Sequence, residues 1–88
     1  MELIFTKEQG IYVAEFEATN DFNIHLERKD VGILNILQST IADGEYDLVS
    51  AHNNIQDRVF DCDFTAMIYP KYIKIVSGSE VTRCVITM

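Results

Sequence analysis

Two neighbouring stretches alternate their side chains with period two, and this constrains the chain more than any other feature. In "IYVAEFEA" (11–18), Tyr12, Ala14, Phe16 and Ala18 fall on one side, and Ile11, Val13, Glu15 and Glu17 on the other. In "FNIHLER" (22–28), Phe22, Ile24 and Leu26 oppose Asn23, His25 and Glu27. Only an extended strand sends successive side chains to opposite faces. The intervening "TND" is turn chemistry, because Asn and Asp side chains bond nearby backbone. A first strand is expected at "LIFT", joined through "KEQG".

Further along, "KYIKIVSGSEVTRCVITM" reads as two strands about Gly78-Ser79, a pair suited to a tight hairpin. That register would set Val76 against Val81, Ile75 against Thr82 and Ile73 against Cys84. It would also set Lys74 against Arg83, a like-charge pair that costs a little. The segment "DVGILNILQSTIADG" fits two patterns. Ile33, Ile36, Leu37 and Ile41 share a helical face, with Asp30 as N-cap and Gly44 as terminator. Gly32 and the β-branched residues weaken a helix, and Asp43-Gly44 is a hairpin signal. Strand is therefore favoured, with a short helix within 30–42 as the main alternative. The hairpin would set Ile41 opposite Tyr46 and Ser39 opposite Leu48. Pro70 lacks an N–H and suits an edge, a bulge or a connection.

These readings give about eight short strands at roughly ten-residue spacing. The expected fold is all-β: a small antiparallel sandwich or barrel, jelly-roll or Ig-like, in a single domain over 1–88.

Charge and composition narrow the function classes. Seven Lys and Arg stand against fourteen Asp and Glu, a net charge of −7. Phosphate backbones and anionic membrane surfaces repel such a chain, so neither nucleic acid nor membrane is an expected partner. The last quarter is mildly basic, with Lys71, Lys74 and Arg83 against Glu80. The start lacks a basic segment followed by a long apolar run, and only two cysteines occur, so a cytoplasmic, reducing setting is expected. A virion-associated location is the other option.

No catalytic motif is found: "GSE" is not GxSxG, and the phosphate-cradling glycine patterns are missing. The chain is read as non-enzymatic, without a cofactor. "RVFDCDF" (58–64) places Cys62 between two acids, yet parity separates them. Phe60, Cys62 and Phe64 take the core face, leaving Asp61 and Asp63 to solvent. Both cysteines are expected as packed core thiols, with Cys62 buried between the phenylalanines. His25 is expected on the solvent side of its strand and His52 in the turn "AHNN". A zinc set of Cys62, Cys84, His25 and His52 lacks any preorganising spacing. No metal site is expected; Asp61 and Asp63 are the candidates for a loosely held hard cation. The other i, i+2 or near pairs, Glu15 with Glu17 and Asp43 with Asp47, read as solvated strand faces.

Several strands carry apolar residues on both faces, and a sandwich normally wets its outer one. Self-association is the simplest cover. The function expected is a structural or interaction module, a homo-oligomer or a subunit of a larger assembly such as a virion or tail-like particle. Tyr72, Val76, Val81 and Val85 are the expected interface. The alternative is a small carbohydrate-binding sandwich using Tyr12, Tyr46, Tyr69 and Tyr72 with Asn53, Asn54 and Gln56.

Overall fold

The computed structural model describes residues 1–49, 52–65 and 68–88. Eight strands form: β1 (Thr6–Glu8), β2 (Ile11–Ala18), β3 (Phe22–Arg28), β4 (Leu34–Ser39), β5 (Asp47–Leu48), β6 (Val59–Phe64), β7 (Lys71–Ser77) and β8 (Val81–Thr87). They make a five-stranded sheet, β1-β2-β7-β4-β5, and a three-stranded sheet, β6-β3-β8, with every pairing antiparallel. The alternation in 11–18 and 22–28 becomes β2 and β3 with the expected faces: Phe16, Ala18, Phe22, Ile24 and Leu26 are buried in the core.

The pairings nest. β4 pairs β5, β3 pairs β6, and β2 pairs β7. The outermost pairing is made by residues 1–3 against β8: Glu2 bridges Val85, Leu3 N–H donates to Cys84 O at 2.9 Å, and Ile86 N–H donates to Met1 O at 2.8 Å. A long hairpin rolled up in this nested order is a jelly roll. This decides between the two sandwich types that the alternation allowed.

The N-terminal segment belongs to both sheets. Residues 1–3 lie along β8, and residues 6–8 then pair with β2 in the other sheet. The expected strand at "LIFT" is thus split across a corner. Its hairpin to β2 turns on Gln9 and Gly10, whose φ values of 51° and 84° are those of a type I′ turn.

Two expected hairpins need correction. β7 and β8 do not pair; Gly78-Ser79-Glu80 carries the chain from one sheet to the other. The predicted Val76–Val81, Ile75–Thr82 and Ile73–Cys84 pairs are not formed. Instead Val76 pairs Val13 and Asn35, while Cys84 pairs Leu26. Lys74 accordingly meets Glu15 rather than Arg83, which removes the like-charge conflict. The β4–β5 hairpin does form, but with Leu37 opposite Leu48 and Gln38 opposite Asp47, a register two residues from the expected one. Its turn runs Ile41–Gly44, closed by Gly44 N–H to Ile41 O at 3.1 Å, and neither Ala42 nor Asp43 has a positive φ. That excludes a type I′ turn on Asp43-Gly44. Gly44 is required by proximity: a Cβ there would come within 2.4 Å of Ile41 Cγ1. Residues 34–39 are strand, and no helix occurs among the described residues.

The core lies between the sheets, built on the fully buried Ile24, Leu26, Leu34, Ile36, Ile73 and Ile75. Phe22 stacks on Phe64 at 5.0 Å and meets Phe16 edge-on at 5.3 Å. Arg28 continues the inward parity of β3 beyond Leu26 and is 1% exposed. Among the described residues no carboxylate forms an ion pair with it, although the charge of Asp57 favours its protonated form. Its guanidinium donates to the carbonyls of Asp57 and Gly32 (2.8 Å) and to Ser77 Oγ (3.4 Å). Peptide oxygens therefore replace the water that burial removes, and desolvation lowers its pKa. A bulge lies beside it: one step along β3, from Glu27 to Arg28, spans two on β8, from Arg83 to Val81. The extra residue, Thr82, returns its hydroxyl to Glu27 O at 3.2 Å.

Candidate functional site

The two sheets turn different chemistry outward. On the three-stranded sheet, β3 projects Asn23, His25 and Glu27 to the outer side. β6 sets Asp63 beside Asn23 and Asp61 beside His25. β8 sets Val85 on the other side of His25 and Arg83 beside Glu27.

These side chains satisfy one another. His25 Nδ1 lies 2.8 Å from Asp61 Oδ2, and Nε2 lies 2.7 Å from Glu27 Oε2. The Asn23 amide donates to Asp61 Oδ1 at 2.8 Å and Asp63 Oδ1 at 2.9 Å. Hydrogen bonds from Glu27, then Asp61, raise the His25 pKa above its ordinary 6.5. The His25 bond holds Glu27 below its usual range, and bonds from Asn23 and then His25 do the same for Asp61. All three groups are solvent-accessible, so these shifts report local pairing rather than a buried reaction centre.

The cation candidates Asp61 and Asp63 thus share an exposed face, with the Asn23 amide between them. Among the described residues, no group of three or more His, Cys, Asp or Glu is placed to hold a metal ion. Cys62 takes the opposite side of β6, as parity requires, but it is half-buried rather than buried. β6 is an edge strand, and the core covers only one flank of the thiol. Burial raises the Cys62 pKa, with Asp63 and Asp61 adding to it. Cys84 is buried, and its pKa is pushed up to about 12, chiefly by desolvation. The two cysteines pair residues on opposite flanks of β3, so two strand spacings of about 4.8 Å separate them, too far for a disulfide. His52 packs against Phe64 with ring centroids 4.7 Å apart. It lies in a loop as expected, although Ala51 of the "AHNN" stretch is outside the described residues. The four zinc candidates are not gathered into one site among the described residues.

The five-stranded sheet carries a second apolar layer. Register makes two partial rows on this face: Val13 beside Val76, which meets Asn35 on β4, and Glu15 beside Lys74, which meets Leu37 and then Leu48 across β4 and β5, with Tyr72 at the next same-face position of β7. None belongs to the core cluster. Leu48 is 48% exposed. At the centre Glu15 pairs Lys74, and Lys74 Nζ lies 5.6 Å from the centroid of Tyr46. Tyr46 reaches Glu15 as well, and burial together with that carboxylate raises its pKa.

The four expected interface residues are divided by this geometry. Tyr72 and Val76 lie on this apolar face. Val85 lies on the outer side of the other sheet, beside His25, and Val81 packs against the core. Leu37 and Leu48 were not expected in an interface, and Tyr46 was expected only among the sugar-binding tyrosines. Their signal was the hairpin at Asp43-Gly44, which sets Leu48 beside Leu37 once its register is known. The tyrosines do not form one platform: Tyr12 lines a cleft of about 210 Å³ where the N-terminal segment changes sheets, and Tyr69 packs at the core margin and donates to Asp21 at 2.8 Å. No helix among the described residues is long and apolar enough to cross a membrane.

Fold and surfaces define a small all-β jelly-roll sandwich with one polar outer face and one mixed, partly apolar outer face. No family model matches the chain, and neither a curated protein nor a solved structure shows significant similarity to it.

Proposed function

We propose that this chain is a non-enzymatic interaction module that self-associates through the outer face of its five-stranded sheet, as a subunit of a larger assembly. The observation that carries this reading is two apolar pairs, Val13 with Val76 and Leu37 with Leu48, in adjacent rows of a sheet face that the core cluster does not use. Leu48 is exposed and Val76 and Leu37 are half-buried, and apolar surface left to solvent favours cover by another protein surface. A second copy suits it, because Glu15 and Lys74 sit side by side at its centre. Around a two-fold axis, each copy's lysine meets the other's glutamate, which makes the patch self-complementary. The jelly-roll ladder serves capsid and lectin domains alike, so topology favours neither a structural nor a sugar-binding role.

Sedimentation equilibrium across a wide concentration range tests the reading. Self-association that weakens at least tenfold in Val76→Glu and Leu48→Glu supports it; a monomer at millimolar concentration overturns it. The runner-up, a carbohydrate-binding module, draws support from Tyr46 and Tyr72 sharing this face. It predicts glycan-array binding that Tyr72→Ala removes from a monomeric chain.

A further inference from the structure

We propose that His25 is a proton-operated clasp holding edge strand β6 onto β3. Three observations carry this, and none depends on self-association. First, both ring nitrogens face carboxylate oxygens, at 2.8 Å for Asp61 and 2.7 Å for Glu27. A neutral imidazole has a single N–H, so only the imidazolium donates to both. Second, Asp61 lies on β6 and Glu27 on β3, so the ring joins the two strands through side chains. Third, β6 pairs with β3 alone among the described strands, whereas β3 is also held by β8. A change in side-chain attachment therefore acts where backbone pairing is thinnest.

The electrostatic surroundings sharpen the response. From β3 the ring faces Glu27; from β6 it faces Asp61, with Asp63 one step along; from β8 it faces the uncharged Val85. The cations nearest the cluster are Arg83, opposite Glu27 on β8, and Arg58, just before β6; both act on Glu27. Glu2, bridged to Val85, draws on Arg83 at 3.8 Å. When His25 gives its proton to water, one nitrogen turns a lone pair toward a carboxylate. Glu27 and Asp61 are then held across a neutral ring, and Asp63 lies beside Asp61 with only the Asn23 amide between them. Like charges that close repel, and β6 loosens.

An NMR pH titration of the full chain tests the clasp. The ring nitrogen shifts of His25 are followed together with hydrogen exchange of the Phe60, Cys62 and Phe64 amides, which point toward β3. The expected midpoint lies above 6.5. Passing through it, β6 exchange rises at least threefold beyond the intrinsic base-catalysed increase, while β7 exchange follows that increase alone. In His25→Gln the excess disappears; in Asp61→Asn the His25 midpoint falls. A His25 midpoint at or below 6.5 overturns the proposal, as does β6 exchange in the parent chain that tracks His25→Gln at every pH. If either variant fails to fold, the parent's midpoint and its contrast between β6 and β7 still decide.

Discussion

The two outer faces of this sandwich are built from the same kind of strand and solve opposite problems. The face over β6-β3-β8 satisfies itself: Asn23, His25, Glu27, Asp61 and Asp63 exchange hydrogen bonds across strands and remain in water. The face over β2-β7-β4-β5 leaves Leu48 exposed and Val76 and Leu37 half-buried beside Glu15 and Lys74, while Val13 is buried. Inside, the difference vanishes, since Ile24 and Leu26 beneath one face and Ile73 and Ile75 beneath the other are equally buried. The core therefore fixes the fold without regard to what lies outside, and the outer faces are free to differ in purpose.

The strongest test of this contrast removes it from the interior. Ile24→Ala and Ile75→Ala should each destabilise by about 2–5 kcal/mol in denaturant unfolding, because both leave cavities in a close-packed layer. A cost under about 1 kcal/mol at either site would mean that the sheets are unequal inside as well as outside.

Next in size is the effect on association. Val76→Glu should abolish self-association yet change the stability of the dilute monomer by no more than about 1 kcal/mol, as an outer-face substitution does. A collapse of the dilute monomer would place Val76 in the fold rather than in an interface.

The polar face should respond to pH where the apolar one does not. His25 has a raised folded pKa, so its stabilisation is complete below 6.5 and is lost as pH climbs through the folded value. Glu27 and Asp61 have lowered values, so their stabilisation is present above 4.5 and 3.8 and is lost as pH falls through the folded values. The network should contribute most between pH 4.5 and 6.5. Thermal melts of the parent minus His25→Gln should therefore peak there and decline toward pH 8. A flat difference would separate the hydrogen-bond geometry from any energetic role.

The smallest effect concerns the thiols beneath the polar face. Iodoacetamide at pH 8 should label the half-buried Cys62 first and Cys84 last, with both slower than a free thiol because burial disfavours thiolate. Equal rates would indicate that the β6 edge opens no more readily than β8.

Local patterns in the sequence reported faces well and partners poorly. Alternation alone assigned Ile24, Leu26 and Phe64 inward and Asp61 and Asp63 outward, because side-chain parity is a property of one strand. The same rule reaches Arg28, two residues past Leu26, but its charge disguised an inward position. The Gly78-Ser79 turn misled for a physical reason: it reverses the chain in a hairpin and at a sheet-to-sheet crossing alike. Only the clash of Lys74 with Arg83 hinted that β7 and β8 part company. The outer apolar positions were illegible as a group, since they come from four strands whose order is set by distant pairings.

The split N-terminal segment gives the sandwich an asymmetric mechanical response. Sheets that touch only through side chains can shear past one another, because dispersion contacts slide and re-form at modest cost. Here residues 1–3 are bonded into one sheet and residues 6–8 into the other. Along that side, shear loads several backbone hydrogen bonds at once instead of unzipping them in turn. The sandwich should therefore give way first on its far side, where β5 is two residues long, and hinge about the corner that residues 1–8 hold shut.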